Sequence, residues 1–125
     1  MLSPDATDPG LAAAVPRLLV VDDDELMRQM ATYTLQQAGF DVVEASDGPH
    51  ALALLSASHF DLVLLDLVMP GMDGYEVCRL IRAAPQGALL PVLVLTGLND
   101  TVSIDAAYDA GASDFIAKPI HWTLL

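Results

Sequence analysis

The chain has 125 residues, 54% of them hydrophobic, and a mean hydropathy of +0.47, which fits one domain with a substantial core and is too apolar for a disordered segment. Its formal net charge of −12, from 17 acidic and 5 basic residues, argues against direct contact with a nucleic-acid backbone or an anionic membrane surface, both of which need clustered Lys and Arg. No apolar run reaches bilayer length, and the longest, residues 87–95, contains Pro91.

Residues 1–16 are rich in Pro, Asp, Ala and Gly and carry no basic stretch before Leu11-Ala-Ala-Ala-Val15. They are expected to be a mobile leader and not a secretory signal. A regular alternation then begins. Residues 18–21 form a continuous apolar run, as expected of a strand buried on both faces. A helix comes next over 25–38, where Met27, Met30, Ala31, Leu35 and Ala38 recur at helical spacing and Gly39 stops it. A second strand covers 41–45. After the turn residues Ser46-Asp47-Gly48 comes a short helix with Ala51, Leu52, Leu54 and Leu55. The third strand is 62–65, and the Pro and Gly residues of the loop 68–74 disfavour continuation of either strand or helix.

A third helix holds Val77, Leu80 and Ile81. The single cysteine, Cys78, falls in it as a packing residue. One cysteine permits no intrachain disulfide, which fits a cytoplasmic location. The fourth strand is 92–95, a fourth helix spans 100–110 with Gly111 as its stop, and the fifth strand is 115–117. A last helix is expected to start near Ile120. Strands alternating with helices predict an α/β fold of parallel βαβ units with right-handed crossovers.

Four of these strands run into polar residues: the first into Asp22-Asp23-Asp24, the third into Asp66, the fourth into Thr96 and the fifth into Lys118. Open parallel sheets bind ligands beyond the carboxyl ends of their strands. If the strands lie side by side, carboxylates, a hydroxyl and the chain's only lysine converge there. Clustered carboxylates and waters suit Mg²⁺, and a carboxylate can attack phosphorus to form an acyl phosphate. Asp24 and Glu25 are better explained as helix-start acids. His50, His59 and His121 show no metal-ligand spacing and are expected at the surface or rim.

The motifs Val20-Val-Asp-Asp23, Asp66-Leu-Val-Met-Pro-Gly-Met-Asp-Gly74, Thr96-Gly97 and Gly111-Ala-Ser-Asp-Phe-Ile-Ala-Lys-Pro119 resemble the receiver domain of two-component response regulators. The likeness covers residues 17–125. It implies a flavodoxin-like, doubly wound parallel sheet of five strands in the order 2-1-3-4-5, with helices on both faces. It implies that Asp66 accepts a phosphoryl group from a phosphohistidine on a sensor histidine kinase or phosphotransfer protein. Mg²⁺ would be held by Asp22, Asp23, Asp66 and the backbone carbonyl of Val68. Thr96 and Lys118 would contact the phosphoryl group, Phe115 would be the switch aromatic paired with Thr96, and the Lys118–Pro119 bond would be cis. The domain would be a signalling switch and phosphoprotein rather than a turnover enzyme.

In two places the sequence departs from that pattern. Val68 and Leu98, which flank the expected path of the attacking water, are apolar and cannot orient it, so self-dephosphorylation is expected to be slow. The last helix is cut short at Leu125, as in a fragment of a longer protein. Residues 118–125 are similar to receivers fused to diguanylate cyclase or cyclic-di-GMP phosphodiesterase modules, which implies an output of that kind. Trp122 fits either a core position or a homodimer contact. Three other readings remain open on the sequence alone. An Asp-nucleophile phosphatase would need a second Asp where Val68 stands. A flavodoxin-like cofactor carrier would have its phosphate repelled by Asp22-Asp23-Asp24. A receiver that acts only as a docking surface would not need the full set of charged residues.

Overall fold

The computed structural model describes residues 15–97 and 101–118. Its strands are β1 (Arg17–Val21), β2 (Asp41–Ala45), β3 (Leu62–Asp66), β4 (Val92–Thr96) and β5 (Asp114–Ala117). They pair in parallel in the order β2-β1-β3-β4-β5, as the resemblance implied. The helices among the described residues are α1 (Glu25–Gln37), α2 (Gly48–Ala57), α3 (Gly74–Ala83) and α4 (Thr101–Asp109). The expected last helix, the Lys118–Pro119 bond, Leu98, His121 and Trp122 lie outside the described residues. No helix among the described residues is long and apolar enough to cross a membrane.

The central strands β1, β3 and β4 are apolar along most of their length because both faces of the sheet are covered there. On one face Leu19, Val21, Val63, Leu65, Val92 and Val94 pack with Ala51 of α2, Val77, Cys78 and Ile81 of α3, and Ala107 of α4. On the other, Val20, Leu64 and Leu95 pack with Ala31 and Leu35 of α1.

The three helices that follow β1, β2 and β3 are each capped by an aspartate. Asp24 accepts from the Met27 N–H, Asp47 from His50 and Asp73 from Glu76. Caps of this kind are worth about 1 kcal/mol each. Asp24 therefore does what its sequence position suggested, which separates it from its two neighbours. Gly39 and Gly111 end their helices at φ 99° and 111°, where a Cβ is unfavourable.

A short 3-10 turn, Pro85–Gly87, was not foreseen. It is tied down by Arg82, whose guanidinium donates to the carbonyls of Gly87, Leu90 and Gly111 and to the Ser113 hydroxyl. That fan of bonds fastens the end of α3 to the starts of β4 and β5, on the edge of the sheet opposite the polar strand ends.

Candidate functional site

The backbone ladder continues past the last apolar residue of each strand, and this positions the polar ends. The Asp22 N–H donates to Ala45 O, Leu67 to Leu95 O, and Lys118 to Thr96 O. Asp66 and Thr96 are themselves the last ladder residues of β3 and β4. Both strands are thus one residue longer than their apolar runs, since pairing depends on backbone groups and not on side-chain polarity.

The four strand ends meet. Lys118 Nζ lies 3.1 Å from Asp66 Oδ1 and 3.8 Å from Asp22 Oδ2. Asp22, Asp23 and Asp66 each present a carboxylate oxygen within 4.8 Å of the other two. Asp22, Asp66 and Thr96 are buried, and Asp23 opens the cluster to solvent.

Burial pushes the Asp66 carboxyl up to about 6, with help from the neighbouring Asp22 charge, against the pull of the Lys118 ammonium and the Val68 N–H. Lys118 is raised: burial opposes its charge, but the bond to Asp66 and the charges of Asp22 and Asp24 outweigh that. Three carboxylates against one ammonium leave an excess of two negative charges. A divalent cation matches that excess, and an all-oxygen donor set with one side open to water matches the preference of Mg²⁺. The residues therefore fit the ion.

Phe115 is half-buried against the core and meets Tyr108 of α4 edge-on, with ring centroids 6.2 Å apart. Val68, two residues beyond the buried Asp66, is largely exposed. His50 and His59 are exposed, and His59 pairs with Asp61 at the far end of β3.

Sequence reasoning missed Arg28. It reaches from α1 to donate to the backbone carbonyl of Asp22. Only its helical position, one turn after the Asp24 cap, hinted at this.

The model of the response regulator receiver domain matches residues 18–125. The DNA-binding response regulator MtrA of Mycolicibacterium paratuberculosis is 44% identical over 103 residues, covering 82% of this chain and 44% of MtrA. The transcriptional regulatory protein AfsQ1 of Streptomyces coelicolor is 37% identical over 111 residues, covering 89% of this chain and 48% of AfsQ1. This chain thus spans less than half the length of these two relatives. Among solved structures, the chemotaxis protein CheY4 of Vibrio cholerae superposes with a TM-score of 0.85 at 34% identity, covering 88% of this chain and 92% of CheY4. These likenesses leave no place for the phosphatase and cofactor-carrier readings. With its strand order, its converging strand ends and the matched family pattern, the chain belongs to the receiver domains of two-component response regulators, phosphoacceptor switches that characteristically bind Mg²⁺.

Proposed function

We propose that residues 17–125 are the receiver unit, that residues 1–16 are a leader to it, and that Asp66 is its phosphoacceptor. The observation that carries this is the contact of Lys118 Nζ with Asp66 Oδ1 at 3.1 Å, inside a cluster completed by Asp22 and Asp23. Mg²⁺ held by Asp22, Asp23, Asp66 and the Val68 carbonyl supplies neutralisation of phosphoryl charge. An Asp66 oxygen attacks the phosphorus of a phosphohistidine. The P–N bond breaks, its electron pair leaves with the imidazole, and the new P–O bond is an acyl phosphate. Lys118 then transfers its ion pair from the Asp66 carboxylate to a phosphoryl oxygen. Thr96 donates its hydroxyl to another. Its displacement opens space beside β4 for Phe115, which shifts the α4–β5 surface between two arrangements.

This is a stoichiometric switch and not a turnover enzyme, and it acts in the cytoplasm on receipt of phosphate from a histidine kinase or phosphotransfer protein. A homodimer through the switched surface is one form its output can take. The names of MtrA, a DNA-binding response regulator, and of AfsQ1, a transcriptional regulatory protein, favour a transcriptional output over the cyclic-di-GMP module expected from residues 118–125. The net charge of −12 assigns any DNA contact to that output and not to this domain.

Incubated with acetyl phosphate and Mg²⁺, the protein should gain the mass of one phosphate, and EDTA should suppress the gain. No gain, or a gain indifferent to EDTA, would overturn the assignment. The same sample, freed of acetyl phosphate, reads the lifetime. Val68 presents no polar group to an attacking water, so Val68→Asn should shorten the half-life several-fold. An unchanged half-life would show that this side chain does not limit hydrolysis.

A further inference from the structure

Three of the Asp22 polar groups are engaged by protein. Its N–H donates to Ala45 O at 3.2 Å, its Oδ1 accepts from the Asp24 N–H at 3.0 Å, and its carbonyl accepts from Arg28 Nη1 at 2.8 Å. Arg28 is itself anchored: its Nε donates to Glu44 Oε1 at 3.0 Å, and its side chain is only 16% exposed. Glu44 and Ala45 are consecutive residues of β2, so Asp22 is fastened to that strand twice, once directly and once through the guanidinium.

The Asp22 carbonyl belongs to the peptide unit that joins Asp22 to Asp23. Fixing that unit limits the directions in which both side chains leave the backbone. We propose that Arg28 is a positioning residue for the metal-binding carboxylates: anchored on Glu44, it holds the Asp22–Asp23 peptide so that both carboxylates face Asp66. This rests on the reading of Asp22, Asp23 and Asp66 as the Mg²⁺ ligands.

Two features suit Arg28 to this role. Its bond is to a carbonyl and not to a carboxylate, so it organises the ligands without competing for the oxygens a cation needs. Lys118, by contrast, sits on those oxygens. Moreover, the Glu44 carboxylate balances the guanidinium charge, so the arrangement does not add a net positive charge beside an incoming cation. A planar fork with donors on several nitrogens spans both partners at once, which an ammonium on a flexible stem does less well.

The test measures Mg²⁺ affinity by calorimetry, alongside phosphorylation rate from acetyl phosphate as a function of Mg²⁺. Metal-free thermal unfolding of each variant runs in parallel. Loss of an outer-shell partner typically weakens metal binding by about 10–100-fold, so Arg28→Gln should raise the Mg²⁺ dissociation constant by at least about tenfold. It should leave the rate at saturating Mg²⁺ near that of the wild type. Arg28→Lys should recover part of the affinity, and Glu44→Ala should show a smaller loss in the same direction. A folded Arg28→Gln with wild-type affinity would overturn the proposal, because a purely structural arginine lowers the melting temperature without moving the affinity. Should Arg28→Gln not fold, unchanged affinity in Glu44→Ala would overturn it equally. Failure of the parent reading is distinct, since it shows in the wild type as no Mg²⁺ binding and no label, and it removes both proposals.

Discussion

Asp66→Asn should take up no phosphate from acetyl phosphate and Mg²⁺, and should also be more stable than the wild type when metal is chelated at pH 7. The first effect is all-or-none, because an amide oxygen is not an effective nucleophile toward phosphorus. The second arises from the environment of the carboxylate. Its pKa is about 6 in the folded protein against an ordinary 3.8, chiefly through burial and then through the charge of Asp22. A carboxyl raised in this way favours folding when protonated. That advantage is complete below about pH 4, fades as pH rises through the folded value near 6, and is absent at pH 7.

Asparagine fills the same space without charge, so the gain at pH 7 should be on the order of 1–2 kcal/mol, less than the full shift implies at 1.36 kcal/mol per pKa unit. The reduction arises because an asparagine amide is not equivalent to a neutral carboxyl: its NH2 group needs acceptors of its own at a buried position that faces the Lys118 ammonium. Urea unfolding in EDTA across pH 4 to 8 should show the two proteins converging at the acid end and the variant more stable above pH 6. Mg²⁺ should narrow the gap by stabilising the wild type more. Wild-type labelling of Asp66→Asn would move the acceptor elsewhere. A variant less stable than the wild type at pH 7 would mean that the Lys118 ion pair outweighs desolvation.

The strands and their polar ends were legible for one reason. In a sheet covered on both faces the central strands are apolar runs, so the first polar residue after such a run marks the strand's end and with it the rim where such sheets bind ligands. Asp22, Asp66, Thr96 and Lys118 all announce themselves that way. Phe115 does not, because a half-buried aromatic beside Tyr108 looks in sequence like any other strand residue. Arg28 and Arg82 were illegible for a different reason. Both act by donating to backbone carbonyls, and a carbonyl carries no residue identity, so neither Asp22 nor Gly87, Leu90 and Gly111 could mark its partner in advance. In sequence Gly48 and Gly74 stand as turn and loop residues. They are in fact the first residues of α2 and α3, and what they provide is close approach. An added Cβ on Gly48 would fall 2.7 Å from the Val77 side chain and 2.9 Å from the Met72 sulfur.

Gly74 is the more consequential of the two, because its neighbours are backbone atoms of the site. Its N–H donates to the Leu67 carbonyl at 2.9 Å, drawing the start of α3 against the end of β3. A Cβ there would overlap the Asp66 carbonyl oxygen and lie 2.6 Å from the Leu67 Cα. Side chains can turn aside from such a contact, but a strand end paired on both sides cannot. Leu67 is held from the opposite direction by its own N–H bond to Leu95 O. Gly74→Ala therefore should force α3 outward, disturbing the Asp73 cap on Glu76 and the packing of Val77, Cys78 and Ile81. The expected loss is about 3 kcal/mol or more, at or above the usual range for an overpacked site because the overlap is with backbone. Gly71→Ala is the control: its φ of 77° makes any side chain strained, yet nothing lies within 4 Å of the added carbon, so its loss should be only about 1–2 kcal/mol. Chemical denaturation of the two variants separates the causes. A larger loss in Gly74→Ala, with labelling at Asp66 slowed even under conditions where the protein stays folded, ties this helix–strand contact to the placement of the acceptor. Equal losses would assign both glycines to backbone conformation alone.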